Sequence, residues 1–251
     1  MLEVKDAYKS YFTYGSLFSR KSQDILRGVT FSVGQGECVG LIGESGSGKS
    51  TLSRLILGLE QPSSGEIFME GESIIAWSKS HRGQMSVVFQ DYTTSINSRF
   101  TVQEIIAEPL SALKKSDKLT TLILELLDKV ELPTTLLKRY PHELSGGQLQ
   151  RVCLARSIST QPRFIVFDEA LSSLDVSVQS QILKLLRNLK NDLNMTYLFI
   201  AHDLQTITNL CDKVLFLYQG RIVEQLRTSE LFKAKSEYAK NLLASVIPFG
   251  G

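Results

Sequence analysis

Long apolar runs are missing from this chain. The longest, "FIVF" at 164 and "YLFIA" at 197, fall far short of the ~20 residues that span a bilayer, so any work at a membrane needs spanning helices from other subunits. Cysteine is scarce too: Cys38, Cys153 and Cys211 form no C-x-x-C pair and are expected to be reduced packing residues in a cytosolic protein. No cluster of metal-ligand type is visible. With a net charge of +2 and the basic residues spread out, the electrostatic footprint of a dedicated nucleic-acid binder is missing, which makes DNA or RNA a weak candidate partner. The N-terminus "MLEVKDAYKSY" has no basic region followed by an apolar core, as a secretion signal would. Repeats and low-complexity segments are also absent.

What is present suits a globular protein: 251 residues, 43% hydrophobic and 22% charged, enough for one large domain or two small ones. Short β-branched or apolar runs alternate with helical patterns, which predicts an α/β fold with a mainly parallel sheet. "ECVGLIG" (37–43) is a buried strand, and "STLSRLILGLE" (50–60) is the helix after it. From residue 91 to 160 strand signals fade. In "KSDKLTTLILELLDKV" (115–130) Leu119, Leu122, Ile123, Leu126, Leu127 and Val130 make one apolar face. Strands return at 163–169, 196–203, 213–218 and 221–225, with a helix at 176–193 between the first two. "YQGR" (218–221) is a tight turn, and "RGVTFSVGQGE" (27–37) suggests a small antiparallel layer. The expected plan is one domain with an α/β core (1–90 and 161–228), an inserted helical subdomain (91–160) and a short helical tail (229–251).

"GESGSGKS" meets the pattern G-x-x-x-x-G-K-[ST] with Gly43, Gly48, Lys49 and Ser50, between a strand and a helix. Backbone N–H groups of 45–50 can face β- and γ-phosphates, Lys49 adds a full charge, and the Ser50 hydroxyl can bind Mg²⁺. The strand Phe164 to Phe167 ends in Asp168 and Glu169, and ligands gather beyond the carboxyl ends of such strands. Asp168 is placed to hold Mg²⁺ through water, and Glu169 to polarise a water for attack on the γ-phosphate. His202 and Gln90 end strands in the same way; Gln90 can bind both Mg²⁺ and the attacking water. His81 and His142 have no such placement and are ordinary surface or core residues.

"LSGGQ" (144–148) opens another helix: Ser145 caps it, and Gly146 and Gly147 leave backbone N–H groups open to close approach. One nucleotide does not need two such loops from one chain. The economical reading is that the second loop grips a nucleotide bound to another subunit.

"LSGGQ", "GESGSGKS", "FIVFDE", "SSLD" (172–175) and "AHD" (201–203), in this arrangement, closely resemble the ATP-binding subunits of ABC transporters over nearly the whole chain. The resemblance implies a P-loop ATPase fold and a head-to-tail dimer with two ATP molecules at its interface. Each ATP is held by one subunit's phosphate loop (here Gly43, Glu44, Ser45, Gly46, Ser47, Gly48, Lys49, Ser50, Thr51) and the other's signature (Ser145, Gly146, Gly147, Gln148). It further implies that Asp175 communicates across the dimer and that Tyr11 stacks on adenine, with Tyr8, Phe12 and Tyr14 close by. Catalysis falls to Glu169, His202, Gln90 and Lys49, and Mg²⁺ to Ser50, Gln90 and Asp168.

Finer features, such as "VFQDYTTSINSRFTVQEIIAEPL", resemble the second ATPase of peptide, nickel and metal–metallophore importers. That branch implies a heterodimer with a second homologous ATPase, two permease subunits, an extracellular solute-binding protein and a place on the cytoplasmic face of the membrane. Two departures are the "DYTTSINSR" region and the lack of a cysteine-containing C-terminal extension, which favours nickel or metallophores over oligopeptides. The rivals fit less well. Translation factors of the superfamily carry two cassettes, repair members carry long coiled coils, a plain P-loop kinase has no use for LSGGQ, and a dead regulatory module would not fill every catalytic position.

Overall fold

The computed structural model describes residues 1–14, 20–91, 95–113, 118–172 and 174–246. Residues 92–94 of "DYTTSINSR", 115–117 of the expected helix, 173 of "SSLD" and 247–251 of the tail lie outside these. In chain order the elements are β1 (Leu2–Tyr14), β2 (Arg20–Val33), β3 (Cys38–Ile42), α1 (Lys49–Ile56), β4 (Ser64–Met69), β5 (Glu72–Ser73), α2 (Ile74–Ser80), β6 (Met85–Phe89), α3 (Val102–Ala112), α4 (Leu119–Lys129), α5 (Gly146–Ile158), β7 (Phe164–Asp168), α6 (Val176–Leu193), β8 (Thr196–Ala201), α7 (Leu204–Leu210), β9 (Lys213–Tyr218), β10 (Arg221–Arg227) and α8 (Glu237–Val246). They form two compact units, Met1–Ser80 with Leu198–Gly251, and His81–Tyr197.

The first unit holds an antiparallel sheet of order β2-β1-β4-β5. This is the small antiparallel layer that 27–37 suggests, with β1 as a partner the sequence hides. Leu2 and Val4 are buried and Glu3 and Lys5 exposed, as a half-buried strand requires, but Asp6 has φ 47° and the register slips between Val4 and Ala7. That bulge breaks the alternation by which β1 would be recognised. The unit's second sheet runs β10-β9-β3-β8. β3 and β9 are parallel, and all five residues of β3 are buried, the continuous apolar run expected of a strand covered on both faces. β9 and β10 are antiparallel, joined by Gln219 and Gly220 at φ 48° and 77°, the left-handed pair that a two-residue hairpin needs. The Cys38 and Cys211 thiols meet at 3.3 Å, buried and unbridged.

α1 stops at Ile56, short of the 50–60 that periodicity suggests. Gly58 takes a φ of 68°, and Glu60 is drawn back onto Arg54 at 2.7 Å, so the chain turns away before the apolar pattern ends.

In the second unit β6 and β7 are parallel, in register from Met85↔Phe164 to Phe89↔Asp168. Residues 91–160 contain α3, α4 and α5 and, among the described residues, no strand. Thr101 and Glu104 form a capping box at the start of α3, a feature worth about 1 kcal/mol. On α4, Ile123, Leu126, Leu127 and the following Val130 are buried, and Leu119 and Leu122 half-buried, the face that the spacing predicts. α6 spans the predicted 176–193; Asp175 caps it, and Ile182, Leu183, Leu185, Leu186 and Leu189 form its buried stripe. Each fully buried side chain of this kind contributes roughly 1.5–3 kcal/mol. Burial pushes the Cys153 thiol up to about 12, so it is a packing group rather than a nucleophile.

Candidate nucleotide site

The phosphate loop leaves β3 at Gly43 and enters α1 at Lys49. Ser47 N–H donates to Glu44 O at 3.2 Å, and Gly48, at φ 110°, caps the helix. A Cβ on Gly48 would meet Leu26 Cδ2 at 2.7 Å, so both the backbone and the space demand glycine. The turn between β9 and β10 backs the loop: Gly220 N–H donates to Ser47 O at 3.2 Å. Lys49 is buried, its Nζ donating to Gly43 O at 2.8 Å and Glu44 O at 3.1 Å, which folds its charge over the loop. The first turn of α1 has no acidic side chain, and the Ser47 hydroxyl is buried without a hydrogen-bond partner. Positive potential, a helix N-terminus and an orphaned hydroxyl suit an anion rich in acceptor oxygens. Ser50, one residue into α1, is exposed.

Tyr11, on β1, belongs to the same unit. Its hydroxyl donates to Glu60 at 2.6 Å and accepts from Arg54 at 3.3 Å, while Lys9 Nζ stands 5.2 Å from the ring centroid. The Tyr11 hydrogen bond, helped by Lys9 and Arg54, lowers the Glu60 carboxyl to about 2 against burial, which opposes it. His202 is exposed directly after β8. The next residue of "AHD", Asp203, caps α7, accepting from Gln205 N at 3.1 Å and Thr206 N at 2.8 Å. Burial raises the Asp203 carboxyl, but the Thr206 and Gln205 hydrogen bonds and His202 outweigh it and the net shift is downward.

The second unit carries the acidic strand end and the signature. Asp168 closes β7, half-buried, and Phe89 is its register partner on β6. Gln90 and Glu169 therefore leave neighbouring strands side by side. Glu169 has φ 51°, a left-handed backbone rare for a side chain of this size and typical of functional loops. Ser172 fastens it, donating to Glu169 O from its N–H at 3.2 Å and its hydroxyl at 2.9 Å.

Ser145 and Gln148 form a reciprocal capping box at the start of α5: Gln148 N donates to Ser145 Oγ at 3.3 Å, and Ser145 N to Gln148 Oε1 at 3.0 Å. The box satisfies these two amides, leaving those of Gly146 and Gly147 at the tip of the helix, as an anion site needs. An open cleft of about 380 Å³ is lined by Ser145, Gly146, Gly147 and Gln148 together with Arg151, Asp175 and Gln181. A Cβ on Gly147 would press to 3.0 Å from Val178 Cγ1, which explains the small residue there. Asp175 accepts from Val178 N at 3.0 Å and Ser177 Oγ at 2.7 Å, and the Val178 amide above all holds its carboxyl below the usual range.

Tyr11, Gly43 to Thr51 and His202 thus belong to the first unit, and Gln90, Asp168, Glu169, Ser145 to Gln148 and Asp175 to the second. Within the second, the signature and Asp175 share one cleft. Arg151 and Gln181 were not foreseen; the four-residue step from Gly147 to Arg151 along α5 was the available signal for the first. Arg54 and Glu60, which hold Tyr11, gave none, because their partners lie in distant parts of the chain. Ser50 offers a hydroxyl oxygen in the first unit, and Gln90 and Asp168 an amide and a carboxylate oxygen in the second, each a donor of the type that a hard divalent cation such as Mg²⁺ takes. Among the described residues no group of His, Cys, Asp and Glu side chains could hold a metal by itself, and no helix is long and apolar enough to cross a membrane.

Comparison with known proteins identifies the family. The family model described as ABC transporter matches residues 26–172. The metal-staphylopine import system ATP-binding protein CntF of Staphylococcus aureus is 41% identical over 99% of this chain and 100% of its own length. The nickel import ATP-binding protein NikE of Escherichia coli O157:H7 is 39% identical over 99% and 95%. An ATP-binding cassette solved as a dimer in a post-hydrolysis state bound to ADP and Pi superposes with a TM-score of 0.78 at 26% identity, over 91% of this chain and 99% of that one. A match running from before the phosphate loop to beyond Glu169, with relatives aligned along almost their whole length, places this chain in the ABC transporter family as an ATP-binding subunit that hydrolyses ATP.

Proposed function

We propose that this subunit energises an importer for a metal chelate of the metallophore type or for nickel. It does so as one half of a heterodimer with a second, homologous ATPase docked on two permease subunits at the cytoplasmic face of the membrane, downstream of an extracellular solute-binding protein. The observation that carries the reading is that the chain has two separate glycine-opened helix N-termini, at α1 behind Gly48, which has no side-chain cap, and at α5, where Gly146 and Gly147 follow the Ser145 cap. One ATP occupies Gly43 to Thr51 of this chain; the signature, Ser145 to Gln148, closes on the ATP of the partner. The names of the 41% and 39% identical relatives support the choice of solute. An oligopeptide importer is the runner-up.

In this arrangement Tyr11 stacks on adenine and Lys49 turns from the loop carbonyls to the β- and γ-phosphates. Ser50, Gln90 and Asp168 hold Mg²⁺, which when bound neutralises phosphate charge. Glu169 orients and deprotonates the attacking water, His202 steadies the γ-phosphate, and Asp175 reports the state of the signature cleft across the dimer. Most of the rate comes from positioning and charge stabilisation, as in phosphoryl transfer generally. Glu169→Gln is expected to keep ATP binding, lose turnover and accumulate the closed dimer; wild-type turnover in that variant removes Glu169 from its role.

A further inference from the structure

α5 is a mostly apolar helix after its first turn: Leu149, Val152, Cys153, Leu154 and Ala155 are buried. In their midst Gln150 is wholly buried, with 0% exposure. Its amide Nε2 donates to Ala170 O at 3.0 Å, and its Oε1 is buried with no hydrogen-bond partner. A half-satisfied amide at that depth is destabilising relative to an apolar residue of the same length, so packing alone does not account for it. Its position offers an account. Gln150 stands one helical turn, about 5 Å, beyond Gly146 and Gly147, and the carbonyl it holds belongs to the residue after Glu169.

We propose that Gln150 is the positioning residue that couples the signature to this chain's own catalytic loop. This rests on the proposed roles of Glu169 and of the α5 N-terminus. The left-handed Glu169, at φ 51°, is gripped from two directions: Ser172 donates to its own carbonyl, and Gln150 donates to the next one. The two grips differ in kind. Ser172 lies within the loop and moves with it, whereas Gln150 is fixed to α5. When the amides of Gly146 and Gly147 close on the γ-phosphate of the partner's ATP, a shift of the rigid helix is carried by Gln150 to Ala170 O and hence to the Glu169 backbone. The signature therefore does more than complete the partner's pocket; it sets the carboxylate that serves the nucleotide on this chain's own phosphate loop.

The test is Gln150→Met in the assembled transporter, with Glu169→Gln beside it. Methionine keeps the length, removes the donor and removes the orphaned oxygen. The expected result is a fall in kcat of about tenfold or more, a KM for ATP within about twofold of wild type, and a melting temperature equal to or above wild type. A residue needed only for packing would lower the melting temperature and leave kcat alone. Gln150→Leu, which removes the donor with a different shape, is expected to reproduce the fall in kcat. The proposal is overturned by near-wild-type kcat in Gln150→Met while Glu169→Gln is inactive. It is also overturned if neither Gln150 variant folds, since the amide is then a folding requirement. Full turnover in Glu169→Gln would instead remove the reading beneath it.

Discussion

Replacing Gly48 with alanine tests whether the shape of the phosphate loop is enforced by backbone and space together. At φ 110° an L-residue is strained, a term of roughly 1–3 kcal/mol. The new Cβ would also lie 2.7 Å from Leu26 Cδ2 and 3.2 Å from Ile25 O, so Leu26, buried in β2, must give way. Overpacking of this kind adds about 1 kcal/mol or more. Gly46 is the internal control: its φ is 78°, but a Cβ there meets nothing within 4 Å, so Gly46→Ala carries the backbone term alone. With roughly 2–4 °C per kcal/mol for a chain of this size, Gly48→Ala should lower the melting temperature by about 4–16 °C, and Gly46→Ala by clearly less. Thermal melts with and without ATP read both effects: Gly48→Ala should also lose most of the ATP-induced stabilisation, because its loop amides no longer converge. Equal melting temperatures for Gly46→Ala and Gly48→Ala would refute the steric part, and a wild-type melt with normal ATP stabilisation in Gly48→Ala would refute the whole argument.

Ser145→Ala removes the acceptor for the Gln148 amide and should cost about 1 kcal/mol, read as a small drop in melting temperature, while ATP affinity at the chain's own loop stays the same. Ser145→Arg should likewise spare that affinity but abolish hydrolysis at the partner's phosphate loop; a collapse of affinity at the chain's own site would mean that the signature does not act in trans. Glu60 makes an acid-range prediction. Its carboxyl is lowered from 4.5 to about 2, so its contribution to stability is complete above pH 4.5 and fades as pH falls towards 2. The stability gap between wild type and Glu60→Gln, followed by chemical denaturation, should be constant from pH 7 to 5 and close below 4.5; a gap that widened on acidification would contradict this sign.

Much of the molecule was legible because its signals are local. The limits of α6 follow from Asp175, a cap, and from Ile182, Leu183, Leu186 and Leu189 at helical spacing, all within one stretch. β3 and β7 are apolar runs ending at chemistry-bearing residues, and "YQGR" takes the hairpin turn its residues favour. The phosphate loop and the signature are also local motifs, since glycines and a cap fix a backbone shape within a few residues. The motifs fix local backbone shape, but not which distant side chains hold it in place.

That second question needed the tertiary structure. The bulge at Asp6 hides β1 from any period-2 reading, and only pairing with β2 makes it a strand. α1 ends at Ile56 although its apolar pattern continues, because Glu60 pairs with Arg54 and with Tyr11, 49 residues away in the chain. Gln150 looks like an ordinary polar helix residue until α5 is laid against the loop after β7, where its amide meets Ala170 O. A capping residue, a glycine turn or an apolar stripe acts over one or two turns of chain, so sequence alone determined where those helix starts and turns fall. Hydrogen bonds and buried contacts between distant segments depend on how the elements pack, and the packed structure alone decided which residues restrain Tyr11, the phosphate loop and Glu169.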